Sequence, residues 1–215
     1  MKDTELRDIV ERALDYEPSI DAANIGVAVE NGVVTLTGHV VTYAQKYMAE
    51  RVVQGVNGVR GIAQEVEVRD GYGKRLADDE IARRVLNSIA WDVTVPDGKI
   101  QVKVQQGWVT LSGKVDWYFQ RAAAERAVRK LSGVLGVINQ IVVQPAITVG
   151  DVKRRIEDAL KRSAEIEASG VTVSVNDNRV ILEGKAHSWS ERKAIERAAW
   201  AAPGVASVDD RLVLG

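Results

Sequence analysis

The stretch Asn31–Val40, NGVVTLTGHV, is written three times in this chain with small changes. It returns as QGWVTLSGKV over Gln106–Val115 and as DNRVILEGKA over Asp177–Ala186. Each copy is a turn pair, then alternating apolar and polar residues, then a glycine: Gly38, Gly113 or Gly184. Twenty residues later each has a second glycine, at Gly58, Gly133 and Gly204. A fixed internal spacing of this kind marks tandem structural repeats.

Asn31-Gly32 between two alternating runs is the strongest short-range signal for a β-hairpin, because both residues tolerate positive φ. Gln106-Gly107 and Asp177-Asn178 hold the same place. Before each turn, one apolar set recurs with period two: Ile25, Val27, Val29; Ile100, Val102, Val104; Val171, Val173, Val175. After it come Val34 and Leu36, Val109 and Leu111, Val180 and Leu182. Period two with one apolar side predicts strands with one buried face.

Outward from the hairpin, helices are expected on both sides. The first shows Leu6, Val10, Ala13; Ile81, Val85, Ser88; and Val152, Ile156, Ala159 at helical spacing. The second opens on capping boxes, Thr42-x-x-Gln45 and Ser188-x-x-Glu191. In the second copy Trp117 takes the cap slot, and Asp116 is expected to cap one residue earlier. Its expected buried face is Met48, Val52, Val56; Ala123, Ala127, Leu131; and Ala194, Ala198, Ala202. A third strand follows, Ile62–Val68, Val137–Val143 or Val208–Leu214, parallel to the second through a right-handed crossover.

The expected fold is therefore α+β: three tandem α-β-β-α-β units over 2–69, 77–144 and 148–215. Each has a three-stranded mixed sheet with two helices on one face, the other face left open. The connection 70–76 contains glycine and is expected to flex; 145–147 is too short for much freedom.

This order of motifs resembles the BON domain family of bacterial envelope and stress proteins. The carrying residues are the hairpins GVVTLTG, GWVTLSG and RVILEG, and the pairs Glu50-Arg51, Glu125-Arg126 and Glu196-Arg197. Gly58-Val59, Gly133-Val134 and Gly204-Val205 complete the pattern. The resemblance implies a non-enzymatic role in binding phospholipid or envelope partners, often in osmotic or general stress. A potassium-binding branch is known in the family, and many relatives are periplasmic with signal peptides.

The 215 residues carry a net charge of −1 and no cysteine. No global basic field draws nucleic acid, and thiolate sites and disulfides are excluded. The opening MKDTELRDIVERAL lacks the apolar core of a secretory signal, and no run reaches the roughly 20 apolar residues of a membrane span. The expected location is cytoplasmic, or periplasmic if a processed segment is missing. His39 and His187 read as surface-loop residues, and the sequence has no nucleophile elbow, phosphate loop or dinucleotide fingerprint. The reading is of a protein with no catalytic residues, cofactor or side-chain metal site.

Three copies also show where one departs from the others. Arg51, Arg126 and Arg197 occur in all three, which favours a structural role over phosphate binding. An aromatic at Tyr43, Tyr118 and Trp189 likewise belongs to the common plan. Trp117 replaces Thr42 and Ser188, Phe119 replaces Ala44 and Ser190, Trp108 replaces Val33 and Arg179, and Trp200 replaces Gln54 and Arg129. Trp108 and Val142 are expected on the open sheet side. The candidate binding residues are Trp108, Trp117, Tyr118, Phe119, Arg121, Arg129, Val142 and Trp200. Two uses stand for these rings: packing within or between chains, or contact with lipid acyl chains or another protein. The functional expectation is peripheral association with phospholipid or a membrane-associated partner. The alternatives are a soluble, chaperone-like interaction or assembly module, homo-oligomeric or not, and a potassium sensor whose backbone-carbonyl ligands leave no side-chain signature.

Overall fold

The computed structural model describes residues 2–69, 76–145, 151–163 and 170–214. Most of the two expected connections, 70–75 and 146–147, lies outside these residues. The first repeat runs α1 (Asp3–Tyr16), β1 (Ile25–Glu30), β2 (Val33–Val40), α2 (Tyr43–Gln54), β3 (Gly61–Gln64) and β4 (Glu67–Val68). The second runs α3 (Asp78–Trp91), β5 (Ile100–Gln105), β6 (Trp108–Val115), α4 (Tyr118–Arg129) and β7 (Gly136–Val143). The third runs α5 (Val152–Arg162), β8 (Val171–Asn176), β9 (Arg179–Ala186), α6 (Trp189–Trp200) and β10 (Ser207–Leu214). The chain forms two compact units, one of Met1–Arg84, Val104–Val109 and Arg129–Val137, the other of Val85–Lys103, Thr110–Val128 and Ile138–Gly215.

The sheets follow the expected mixed plan. β1 pairs β2 antiparallel with Val29 opposite Val34, and β8 pairs β9 with Val175 opposite Val180. β10 lies parallel to β9 over its whole length, from Ser207 opposite Arg179 to Leu214 opposite Ala186. The second-repeat sheet has the order β5-β6-β7. In the first repeat the last strand is broken: β3 and β4 each pair with β2, interrupted at Glu65 and Val66. The Glu65 amide still reaches the Leu36 carbonyl at 2.8 Å, so the break leaves the strand's path intact.

The hairpin turns adopt the conformation their residues allow. Asn31 and Gly32 take φ of 51° and 78°, and Gln106 and Gly107 take 51° and 80°. A partner not foreseen from the hairpin motif secures each of these turns. Asp3, in the first turn of α1, accepts the Asn31 and Gly32 amides at 2.7 and 3.1 Å; Asp78 accepts those of Gln106 and Gly107 at 2.7 and 2.9 Å. The glycines ending the second strand are required by close approach. At Gly38, Gly113 and Gly184 a Cβ would collide with the carbonyl oxygen of Asn24, Lys99 and Gly170 respectively.

Both helix faces differ from expectation. On the first helix the buried set continues in steps of four, as Leu6, Val10, Leu14; Ile81, Val85, Ile89; and Val152, Ile156, Leu160. Ala13 and Ser88, expected inside, are half-buried. On the second helix the buried residues are Ala49 and Val53, Ala123, Ala124 and Val128, and Ala194, Ile195 and Ala199. Met48, Val52 and Val56 lie half-buried one step round. A small apolar residue at every few positions leaves the helical phase free by one residue. The sheet selects the larger Val128 over Ala127 and adds Ile195 beside Ala194, which buries more area; in the first repeat Val52 and Val53 are equal in size, and size does not decide between them. In the third repeat these residues close one core, with Ile156, Leu160, Val180, Leu182, Ile195, Ala199 and Leu212 all buried together.

Candidate interaction surface

The second helix of each repeat starts at a cap, and the cap separates the copies. Thr42 Oγ1 accepts the Gln45 amide at 3.2 Å and Ser188 Oγ accepts the Glu191 amide at 3.1 Å. The reciprocal bonds run from the Val41 amide to Gln45 Oε1 and from the His187 amide to Glu191 Oε2. In the second repeat only this reverse half survives: Gln120 Oε1 accepts the Asp116 and Trp117 amides, both at 3.1 Å. Asp116 does not act as the expected cap; its carboxylate pairs with Lys99 at 2.9 Å. Trp117 has no oxygen to offer, so it occupies the slot without doing the slot's work.

Trp117 is 40% exposed and Phe119 55% exposed, with ring centroids 6.4 Å apart and planes 28° from parallel. They form a bare aromatic pair at the entrance of α4. Trp108 is 48% exposed and its ring lies over Gly136, where any Cβ would strike it. Val142 and Ile138 are also exposed. The third repeat fills the slots of Trp108 and Ile138 with ions, Arg179 and Asp209, and keeps an exposed valine, Val213, in the slot of Val142. Arg179 and Arg211 hold Asp209 at 2.7 and 2.9 Å, and Arg211 also reaches Glu183 at 3.1 Å. Hydrogen bonds from Arg211 and then Arg179 hold the Asp209 carboxyl below the usual carboxylate range.

Four of the sequence-predicted candidates are engaged within the chain. The Tyr118 ring stacks on Trp200 at 4.4 Å and 14°. Burial, with Glu196 adding to it, pushes the Tyr118 phenol above its ordinary value. The Arg129 guanidinium lies 3.2 Å from the centre of the Tyr47 ring, a cation–π contact. Arg129 and Trp200 occupy the same slot of successive repeats, and each covers a ring of the repeat before it. Arg121 donates to the Asn139 carbonyl at 3.3 Å, while the Asn139 amide donates to the Arg121 carbonyl at 3.2 Å. The same slots hold the Arg192–Asp210 pair at 2.7 Å and the Gln64–Lys46 carbonyl bond at 3.2 Å. Arg121 thus belongs to a helix-to-strand tie present in every repeat.

Of the shared arginines, Arg51 and Arg126 are exposed, and Arg197 donates back along its helix to the Lys193 carbonyl at 3.4 Å. His187 is exposed as expected, but its Nδ1 lies 3.0 Å from the buried Glu191, a spacing of four residues that the surface-loop reading passes over. No group of three or more His, Asp or Glu among the described residues could hold a metal ion. No helix among them is long and apolar enough to cross a membrane. Tyr16 and Trp91, both nearly bare, lie before the repeated hairpins and outside the comparison of hairpin and second-helix slots, although they share one slot at an offset of 75.

Comparison with known proteins follows the three repeats. The BON domain model matches residues 2–70, 77–145 and 148–215. Osmotically-inducible protein Y of Escherichia coli (strain K12) is 33% identical over 149 residues, 66% of this chain and 72% of that protein. The 21 kDa hemolysin of Actinobacillus pleuropneumoniae is 29% identical over 143 residues, 62% of this chain and 74% of the hemolysin. A solved structure of CdsD, a structural protein of the type III secretion system of Chlamydia trachomatis, is 16% identical. It covers 98% of this chain and 92% of its own, with a TM-score of 0.27, too low for the two whole chains to be superposed.

Proposed function

We propose that this chain, which belongs to the BON domain family, is a non-enzymatic binding protein of the osmotic and general stress response that docks on phospholipid surfaces through its second repeat. The stress assignment is supported by the likeness to an osmotically-inducible protein. The docking assignment is carried by the Trp117–Phe119 pair. An N-cap hydroxyl contributes about 1 kcal/mol to a helix, and Trp117 gives that up while keeping 40% of its surface exposed. Stability therefore does not account for the exposed part of the ring. Tryptophan is favoured at the boundary between water and acyl chains, where its apolar body is buried and its N–H stays wet. Exposed Val142 adds apolar area in the same repeat.

Sedimentation with vesicles tests this reading. The full chain is expected to pellet with phosphatidylcholine vesicles containing phosphatidylglycerol. Replacing Trp117 and Phe119 together by Ser removes two anchors of about 1.5–3 kcal/mol each when fully buried, so binding should fall roughly tenfold or more. Equal recovery with and without vesicles, or undiminished binding by the double variant, sinks the proposal.

A further inference from the structure

Two further turns also present bare rings. Helix α1 ends on Tyr16, 90% exposed, and α3 ends on Trp91, 86% exposed. They occupy the same slot in two repeats. Each ring is followed by a carboxylate fixed by its own turn. Glu17 Oε1 accepts the Ser19 amide at 3.1 Å and its hydroxyl at 2.6 Å. Asp92 Oδ1 accepts the Thr94 amide at 3.0 Å and its hydroxyl at 2.6 Å. These bonds, made to the charged form, lower both acids below their ordinary values; for Asp92 the charge of Arg126 adds a smaller effect. One residue further on, buried Ile20 or Val95 anchors the turn to the core. Val93, between acid and anchor, is 98% exposed.

The fold does not require these rings. A side chain nine-tenths in water contributes little burial, and the third repeat carries Arg162 in the slot. The segment 15–21 holds Asp15, Glu17 and Asp21, and 91–97 holds Asp92 and Asp97, with no lysine or arginine in either. An aromatic face beside a fixed, ionised carboxylate attracts a cation twice, through the ring quadrupole and through charge-assisted hydrogen bonding. The same negative charge repels an anionic bilayer, so these turns do not suit the phospholipid surface assigned to Trp117. We infer that the turns Tyr16–Asp21 and Trp91–Asp97 are docking elements for arginine- or lysine-bearing segments of a partner protein.

The probe is an unstructured Arg-Gly peptide added to the full chain, with a Glu-Gly peptide as control and NMR amide and indole signals as readout. Saturable shifts are expected at residues 15–21 and 91–97 and at the Trp91 indole, with the Glu-Gly peptide inert. Affinity should weaken severalfold as salt rises from about 50 to 200 mM, because exposed charges are screened. Tyr16→Ser and Trp91→Ser should each weaken binding roughly 2- to 5-fold, the range of exposed cation–π contacts, with the melting temperature unchanged. Shifts centred elsewhere, no saturation, or affinity untouched in the double variant would overturn the inference. So would transfer of Trp91 into anionic vesicles in preference to the peptide.

Discussion

The Tyr118 ring lies flat on the Trp200 ring, 4.4 Å between centroids and 14° from parallel. One ring opens the second helix of the second repeat and the other closes that of the third, so the stack joins successive copies. Trp200→Ala should destabilise the chain by about 2 kcal/mol, below the cost of a fully buried ring because Trp200 is only partly buried. A double-mutant cycle with Tyr118→Leu should return a coupling of about 0.5–1.5 kcal/mol by urea melts. A coupling of zero would mean the rings merely adjoin.

The same stack gives an alkaline signature. The folded phenol of Tyr118 titrates above its ordinary value of 10.0, mainly through burial. The folded state then holds its proton where the unfolded chain has lost it. Its contribution is intact below the unfolded value and is lost as pH rises through the folded one. Absorbance titration should show a late Tyr118 phenol in the parent that moves back toward its ordinary value in Trp200→Ala.

Asp209 gives the opposite sign. Hydrogen bonds from Arg211 and Arg179 hold its folded carboxyl below the usual carboxylate range. The stabilisation is present above the unfolded carboxylate value and is lost as pH falls through the folded one. Asp209→Asn should lower the melting temperature at neutral pH and above, where this stabilisation is present, with little change at the acid end, and so flatten part of the acid limb. An unchanged acid limb would show that the network contributes no measurable stability, as many exposed ion pairs do not.

Trp117→Ser separates stability from binding. Serine restores the cap oxygen that Thr42 and Ser188 supply in the other repeats, with an expected gain of up to about 1 kcal/mol. Vesicle binding should fall at the same time. A loss of stability instead would mean that the exposed pair serves internal packing.

Gly113→Ala should cost about 3 kcal/mol or more, since it combines a positive φ of 138° with a backbone collision at the Lys99 carbonyl. Gly98→Ala is the control: φ there is also positive, at 67°, but nothing stands within 4 Å of the added Cβ. The difference between the two, read from thermal melts, measures the collision together with the greater strain of φ 138° over φ 67°.

Much of the fold was legible in the hairpin words. Gly38, Gly113 and Gly184 mark a backbone crossing that admits no Cβ, and Thr42 and Ser188 cap as their spacing predicts. The helix faces were legible only to within one residue. Leu14 and Val53 are buried in place of Ala13 and Val52 because runs such as ERALDY and ERVVQG offer two adjacent apolar phases. The candidate surface was legible as a surplus of rings but not in its division. Nothing local tells Trp200, under Tyr118, from Trp117, which lies open.

The order of residues alone carried the repeat and its hairpin, because turn conformation and strand period act between neighbours along the chain, and the glycines, because the backbone they meet lies in the same hairpin segment. Tertiary structure decided which residues remain available for a partner. It tied Arg121 to Asn139, laid Arg129 on Tyr47, gave Asp116 to Lys99, and left Trp117, Phe119, Tyr16 and Trp91 in solvent. Exposure depends on what packs from distant positions in sequence, and no pattern confined to one segment records it.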